Sequence, residues 1–142
     1  MSINNYRLAE KLLYNFLYTR YEIKKLVERV RLIEVDVHAQ NYSNDFRAAG
    51  VSDPVADLFA RREQIITQIK IFQADIKRVN KFLDSLRSES NKYPDGVLIV
   101  ELIYFCKVKL KEVAHKLGIS ERTLYQRKKK IIKYFAENLK ES

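Results

Sequence analysis

Residues 110–139 read LKEVAHKLGISERTLYQRKKKIIKYFAENL, and their spacing predicts a helix-turn-helix with an extended second helix. The first helix spans about Leu110–Leu117, with Val113, Ala114 and Leu117 on one face. Gly118 can take the positive φ of a tight inter-helix turn without a Cβ penalty. Ile119 can plug the corner, and Ser120 can cap the next helix by accepting from one of its orphan N–H groups. Small Ala114 stands where two crossing helices come closest. In the second helix Leu124, Ile131, Phe135 and Leu139 recur at helical spacing and form an inward row.

Roughly opposite lies a second row, Arg122, Gln126, Lys129 and Lys133. A helix that is apolar on one side and Arg/Gln/Lys on the other is what major-groove reading requires. The competing reading is a solvated basic helix on the surface of a bundle. Charge placement separates the two. The chain carries a net +9, and between Lys107 and Lys133 ten Lys/Arg stand against Glu112 and Glu121, giving +8 and leaving +1 for the rest. A surplus gathered on the segment with the recognition-helix pattern is an electrostatic footprint for phosphate, so double-stranded DNA is the expected partner. A membrane-surface helix would need its apolar face free, and here the core requires it.

The remaining composition bounds the class. At 142 residues with 46% apolar, 32% charged, three Gly and two Pro, the chain is ordered, helix-rich and built of one or two small domains. One cysteine, Cys106, cannot form an intramolecular disulfide. With no signal peptide and no long apolar run, a cytoplasmic, non-membrane protein is expected. Following Tyr104 and Phe105, Cys106 is expected to be a buried structural thiol.

Upstream, residues 4–40 read as one long helix, capped by Asn4 or Asn5. With Leu13 at heptad position a, Ala9, Phe16, Ile23, Val30 and Val37 fall at d, and Leu12, Thr19, Leu26 and Ile33 form the adjacent row. Leu8, Tyr14, Leu17, Tyr18 and Tyr21 fall outside that stripe, so this helix is expected to dock on the C-terminal region or to join subunits. Asn41–Ser52 reads as a loop, and Asp53-Pro54 as the start of a second helix. There Leu58, Ile65, Phe72, Val79 and Leu86 fall every seven residues, with Ile69, Ile76 and Leu83 between them and Arg62 as the polar intruder. The two helices are expected to fold back as an antiparallel hairpin over residues 1–90, a spacer with little core of its own. A homo-oligomer, dimer or tetramer, would bury the rest. Tyr14, Tyr18, Tyr21, Phe72 and Val79 are the candidate interface with another subunit or with an inhibitory or modulating protein. Residues 91–96 read as a hinge, Val97–Phe105 as a support helix for the DNA-binding pair, and 97–142 as the second domain, with Glu137–Ser142 frayed. The expected fold class is all-α.

Val97–Leu139 resembles region 4 of bacterial sigma factors: a helix ending in Tyr104 and Phe105, then KEVAHKLGIS, then ERTLYQRKKKIIKYF. The wider layout resembles phage regulators of the RinA/ArpU type, sigma-like activators of late gene expression. Helical hairpin, Asp-Pro-led second helix, Pro-Asp hinge and sigma-like tail are shared. The resemblance implies a transcription activator of phage late genes, working with host RNA polymerase in the bacterial cytoplasm. The chain departs from the family at Lys107, where Gly is usual, at Lys109, where a Ser or Thr cap is usual, and at Lys128, which occupies a core-facing slot that is usually apolar. The Lys128 stem is expected to cover the core while its ammonium snorkels outward.

On this reading Arg122, Gln126 and Arg127 are the candidates for base edges, because Arg matches guanine O6/N7 and Gln matches adenine N6/N7. Thr123, Lys129, Lys130 and Lys133, with Lys107, Lys109 and Lys111 from the first motif helix, are the candidates for phosphates. No catalytic constellation is visible: His38 and His115 lie in different helices, no Cys/His cluster has metal-ligand spacing, and no Gly-rich phosphate loop occurs. Neither enzyme activity nor a cofactor is expected. The alternative function is a phage terminase small subunit, which also joins a small DNA-binding motif to oligomerising helices. Such subunits usually carry that motif first, whereas here it is last.

Overall fold

The computed structural model describes residues 3–43 and 54–141, and every regular element in them is helical. In order these are α1 (Ile3–Tyr14), α2 (Phe16–Ser43), α3 (Pro54–Ser88), α4 (Gly96–Val100), which runs on into a π-helical turn (Glu101–Phe105), α5 (Leu110–Leu117) and α6 (Glu121–Glu141). No described helix is long and apolar enough to cross a membrane. The expected loop beyond Ser43 and the Asp53 cap lie outside the described residues.

Two compact units result, one of residues 1–17 and 75–142, the other of residues 18–74. The boundary expected near residue 90 is therefore corrected. The apolar period of α3 runs through both units, but its residues serve two interiors. Val79, Phe82, Leu83 and Leu86 join Leu12, Leu13 and Phe16 of the N-terminal segment around Tyr104, Leu124, Ile131 and Phe135. Leu58, Ile65, Ile69 and Phe72 instead pack with Leu26, Val30, Ile33 and Val37. Val79 is only 1% exposed, so it is a core residue of the first unit and not the interface residue its heptad position suggested.

The first unit is built from both ends of the sequence. α1 lies along α6 and reaches the π-helical turn. Phe82 stacks face to face on Phe135 at 4.2 Å, and Phe16 on Phe105 at 4.8 Å. Aromatic pairs at such distances add about 0.5–1.5 kcal/mol to the burial itself. The N-terminal helix is broken at Asn15, against the single helix expected over residues 4–40, and it starts at Ile3, ahead of the expected caps. At the break the Lys107 ammonium donates to the Tyr14 carbonyl at 2.9 Å, and a side chain set into the carbonyl ladder is a recognised cause of interruption.

The expected hinge is a packed connector. Tyr93 is buried and stacked on Tyr134 at 4.8 Å. Lys92 and Tyr93 N–H groups donate to the Glu89 carbonyl, and Gly96 N–H to that of Tyr93, each at 3.0 Å. A Cβ on Gly96 would stand 3.3 Å from that of Tyr93 and 3.4 Å from Leu86, so the glycine answers a close approach. Cys106 is exposed, contrary to expectation. Tyr104 enters the core and Phe105 packs against it, while Cys106 follows the last π-helical residue as the chain turns outward.

In the second unit, Leu26, Ile33, Ile65 and Ile69 are buried. Arg62 bonds to Glu34 and Glu63 at 3.1 Å each, which accounts for a polar residue in the heptad. Val27, Leu32, Val35, Phe59 and Ile71 are about half exposed.

Candidate nucleic-acid interface

α5 occupies Leu110–Leu117, and Gly118 follows at φ 69°, in the left-handed region. Lys109, at the N-cap of α5, makes no side-chain cap bond. α6 is capped as its sequence suggests, with the Thr123 N–H donating to Ser120 Oγ at 3.1 Å. The α6 residues Leu124, Ile131, Ile132, Phe135 and Ala136 are buried, and the helix continues to Glu141 where fraying was expected.

Arg122, Gln126, Lys129 and Lys133 are all exposed. At 3.6 residues per turn they fall within an arc of roughly 60°. Lys130, also exposed, sits at the edge of that arc. Gln126, Lys129, Lys130 and Lys133 line one open depression of about 330 Å³. Lys109 and Lys111 are exposed at the start of α5. Among the α6 residues whose exposure is described, Glu121 and Glu137 are the exposed acids.

Three candidates are placed differently from expectation. Arg127 lies about 100° around the helix from Gln126, is 31% exposed and pairs with Asp95 at 3.9 Å. It does not belong to the row that Arg122 and Gln126 form. The Lys107 ammonium is taken up by the Tyr14 carbonyl and lies 4.6 Å above the Tyr14 ring centroid; its backbone adopts φ 57°, which explains why glycine would suit the position. The Thr123 hydroxyl accepts from Ser120 Oγ at 2.9 Å, so it serves the cap of α6 and not a free phosphate contact.

Lys128 does more than snorkel. Its ammonium lies 3.6 Å from Glu10 Oε2, the same oxygen that accepts the Tyr104 hydroxyl at 2.7 Å. Burial, then that hydrogen bond and the Glu10 charge, hold the Tyr104 phenol far above its ordinary range. Burial also raises Tyr6, with the nearby Glu10 charge adding to it. Glu10 was not singled out in the sequence. One of several acids on a long helix, it carries no local mark of its partners.

Of the other partner-face candidates, Tyr18 and Tyr21 are 61% and 60% exposed. Tyr14 is partly engaged, edge-on to Tyr104 at 4.7 Å between centroids. Phe72 is half-buried against the core of the second unit. Among the described residues no group of three or more His, Cys, Asp or Glu could hold a metal ion. No protein-family model, curated protein or solved structure matches the chain.

Proposed function

We propose that this protein is a sequence-specific regulator of transcription that binds double-stranded DNA through α6. By the resemblance of its whole layout to phage late-gene activators and of its tail to sigma region 4, it activates late genes of a phage or phage-like element beside host RNA polymerase. The observation that carries this reading is the separation of faces on α6: Leu124, Ile131 and Phe135 buried, Arg122, Gln126, Lys129 and Lys133 exposed. An α-helix with side chains is about 10–12 Å across and the major groove about 12 Å wide. Arg122 and Gln126 read bases, and Lys129 and Lys133 neutralise phosphates.

Enrichment of bound duplexes with the purified protein, followed by competition against random DNA, tests this. Arg122→Ala and Gln126→Ala should each cost about 1–3 kcal/mol on the selected site and much less on random duplex. Wild-type protein that holds duplex DNA no better at low ionic strength than at high, or fails to hold it, would overturn the reading. Self-association accompanies it, because the second unit has a small interior and leaves Val27, Leu32, Val35, Phe59 and Ile71 half uncovered. Sedimentation should show a dimer or tetramer; a ring of eight or more subunits would favour the terminase small subunit instead.

A further inference from the structure

Beside the exposed row of α6, a cleft of about 280 Å³ opens between the connector after α3 and the edge of α6. Lys92, Arg127 and Lys130 line it, together with Asn91, Tyr93, Pro94 and Ile131. One carboxylate meets these cations directly: Asp95 Oδ2, 3.9 Å from an Arg127 Nη. Glu89 and Glu137 act on the Tyr93 hydroxyl, which burial first, and then their charges, hold above its usual range. The Arg127–Asp95 pair is long and half exposed, so it is worth at most about 1 kcal/mol and a stronger acceptor can replace it. Tyr93 is fixed by its stack on Tyr134, and the connector is tied by its own backbone bonds and by the close approach at Gly96. The cationic side chains therefore stand on a rigid base.

We propose that this cleft seats a phosphate of the DNA backbone, gripped by Lys92, Arg127 and Lys130. The inference rests on the DNA-binding reading of α6 and extends it to the helix flank. Lys130 lines both this cleft and the depression that holds Gln126, Lys129 and Lys133, so the two surfaces are continuous. A helix that fills the major groove has a phosphodiester strand along each side, and the cleft lies on one of those sides. Arg127 thereby becomes a positioning contact that carries no sequence information. Lys92 and Asn91 join the interface from an element outside the two motif helices.

Salt titrations of the full-length protein on a selected and a random duplex decide the matter. Lys92→Ala and Arg127→Ala should weaken both duplexes by the same factor. Each should lower the slope of log K against log salt by about 0.9, so the deficit shrinks three- to fourfold from ~50 to ~200 mM salt. Asp95→Asn keeps a side chain suited to the left-handed backbone at φ 56° and frees Arg127; it should tighten both complexes at low salt, with the gain fading as salt rises. Lys92 is exposed, so its variant reports even if Arg127→Ala proves unstable. Unchanged slopes in variants of a protein that still binds duplex DNA would overturn the inference and leave the functional reading standing. A loss confined to the selected duplex on Arg127→Ala would also overturn it, since Arg127 would then read a base. Inorganic phosphate, titrated at constant ionic strength and followed by amide NMR shifts, supplies the other arm. Saturation at Lys92 and Arg127 with unchanged DNA slopes would assign the cleft to a small anion and reject a backbone phosphate. Wild-type protein that fails to bind duplex DNA would sink the functional reading itself, and this cleft assignment with it.

Discussion

Glu10 determines what Tyr104, the most buried phenol among the described residues, and one of the cations of the tail do. Its Oε2 accepts from Tyr104 at 2.7 Å and faces the Lys128 ammonium at 3.6 Å, so a side chain near the N-terminus neutralises a basic residue on α6. Removing the hydroxyl with Tyr104→Phe should cost about 1.5 kcal/mol near neutral pH, the lower end for a hydrogen bond to a charged group. The difference should also depend on pH in a definite direction. The folded phenol is held above its ordinary value of 10.0, so the unfolded chain releases this proton first as pH rises. Stability from Tyr104 is thus complete below about pH 10 and falls above it, while the Phe variant lacks that loss. Urea unfolding of both proteins at about pH 8 and about pH 11 should show the wild-type advantage shrinking. A constant gap would mean that the Tyr104 environment is not as described.

Among the elements, the α5–α6 pair depends most on one backbone conformation. Gly118 sits at φ 69° with nothing within 4 Å of a Cβ built on it, so the cost of a side chain there is conformational and not steric. Gly118→Ala should lose about 1–2 kcal/mol, and Gly118→Asn clearly less because Asn visits the left-handed region more readily. Equal losses in urea unfolding would show that the turn does not require that conformation. α3 illustrates the converse dependence. Its seven-residue period is continuous in the sequence, yet Phe72 and Val79, one repeat apart, serve different interiors. The period identified the buried side of the helix and was silent on what covers it. Phe82, absent from that heptad reading, proves to be one of the largest fully buried side chains, through its stack on Phe135.

At the scale of the whole molecule, the unit that carries α6 cannot be cut out as residues 97–142. Ala9, Leu12, Leu13 and Phe16 from one end of the chain, and Val79, Phe82, Leu83 and Leu86 from α3, are buried in the same interior as Leu124, Ile131 and Phe135. A fragment of residues 97–142 would leave those faces bare, and each large core side chain lost is worth about 2–5 kcal/mol. Against a total stability of about 5–15 kcal/mol for a domain, the fragment should not fold. Circular dichroism melts should show no cooperative transition for it, while the full chain melts cooperatively. A cooperative melt of the fragment would restore the domain boundary near residue 90.

By itself the sequence determined the all-helical class, the limits of α5, the Gly118 turn, the Ser120 cap and the two opposed rows of α6. All of these follow from local rules: helical periodicity, the glycine φ range and capping chemistry act within a few residues. The tertiary structure alone decided that Arg127 turns toward Asp95, that Lys107 serves the Tyr14 carbonyl, that Cys106 faces outward, that Lys92 lines one cleft with Arg127, and that Glu10 and Phe82 hold core partners. Each of those outcomes depends on a partner elsewhere in the fold, on another element or across a turn, or on the path the chain takes through it. Periodicity tells which side of a helix is buried, but the residue that meets it is fixed only when the interior closes.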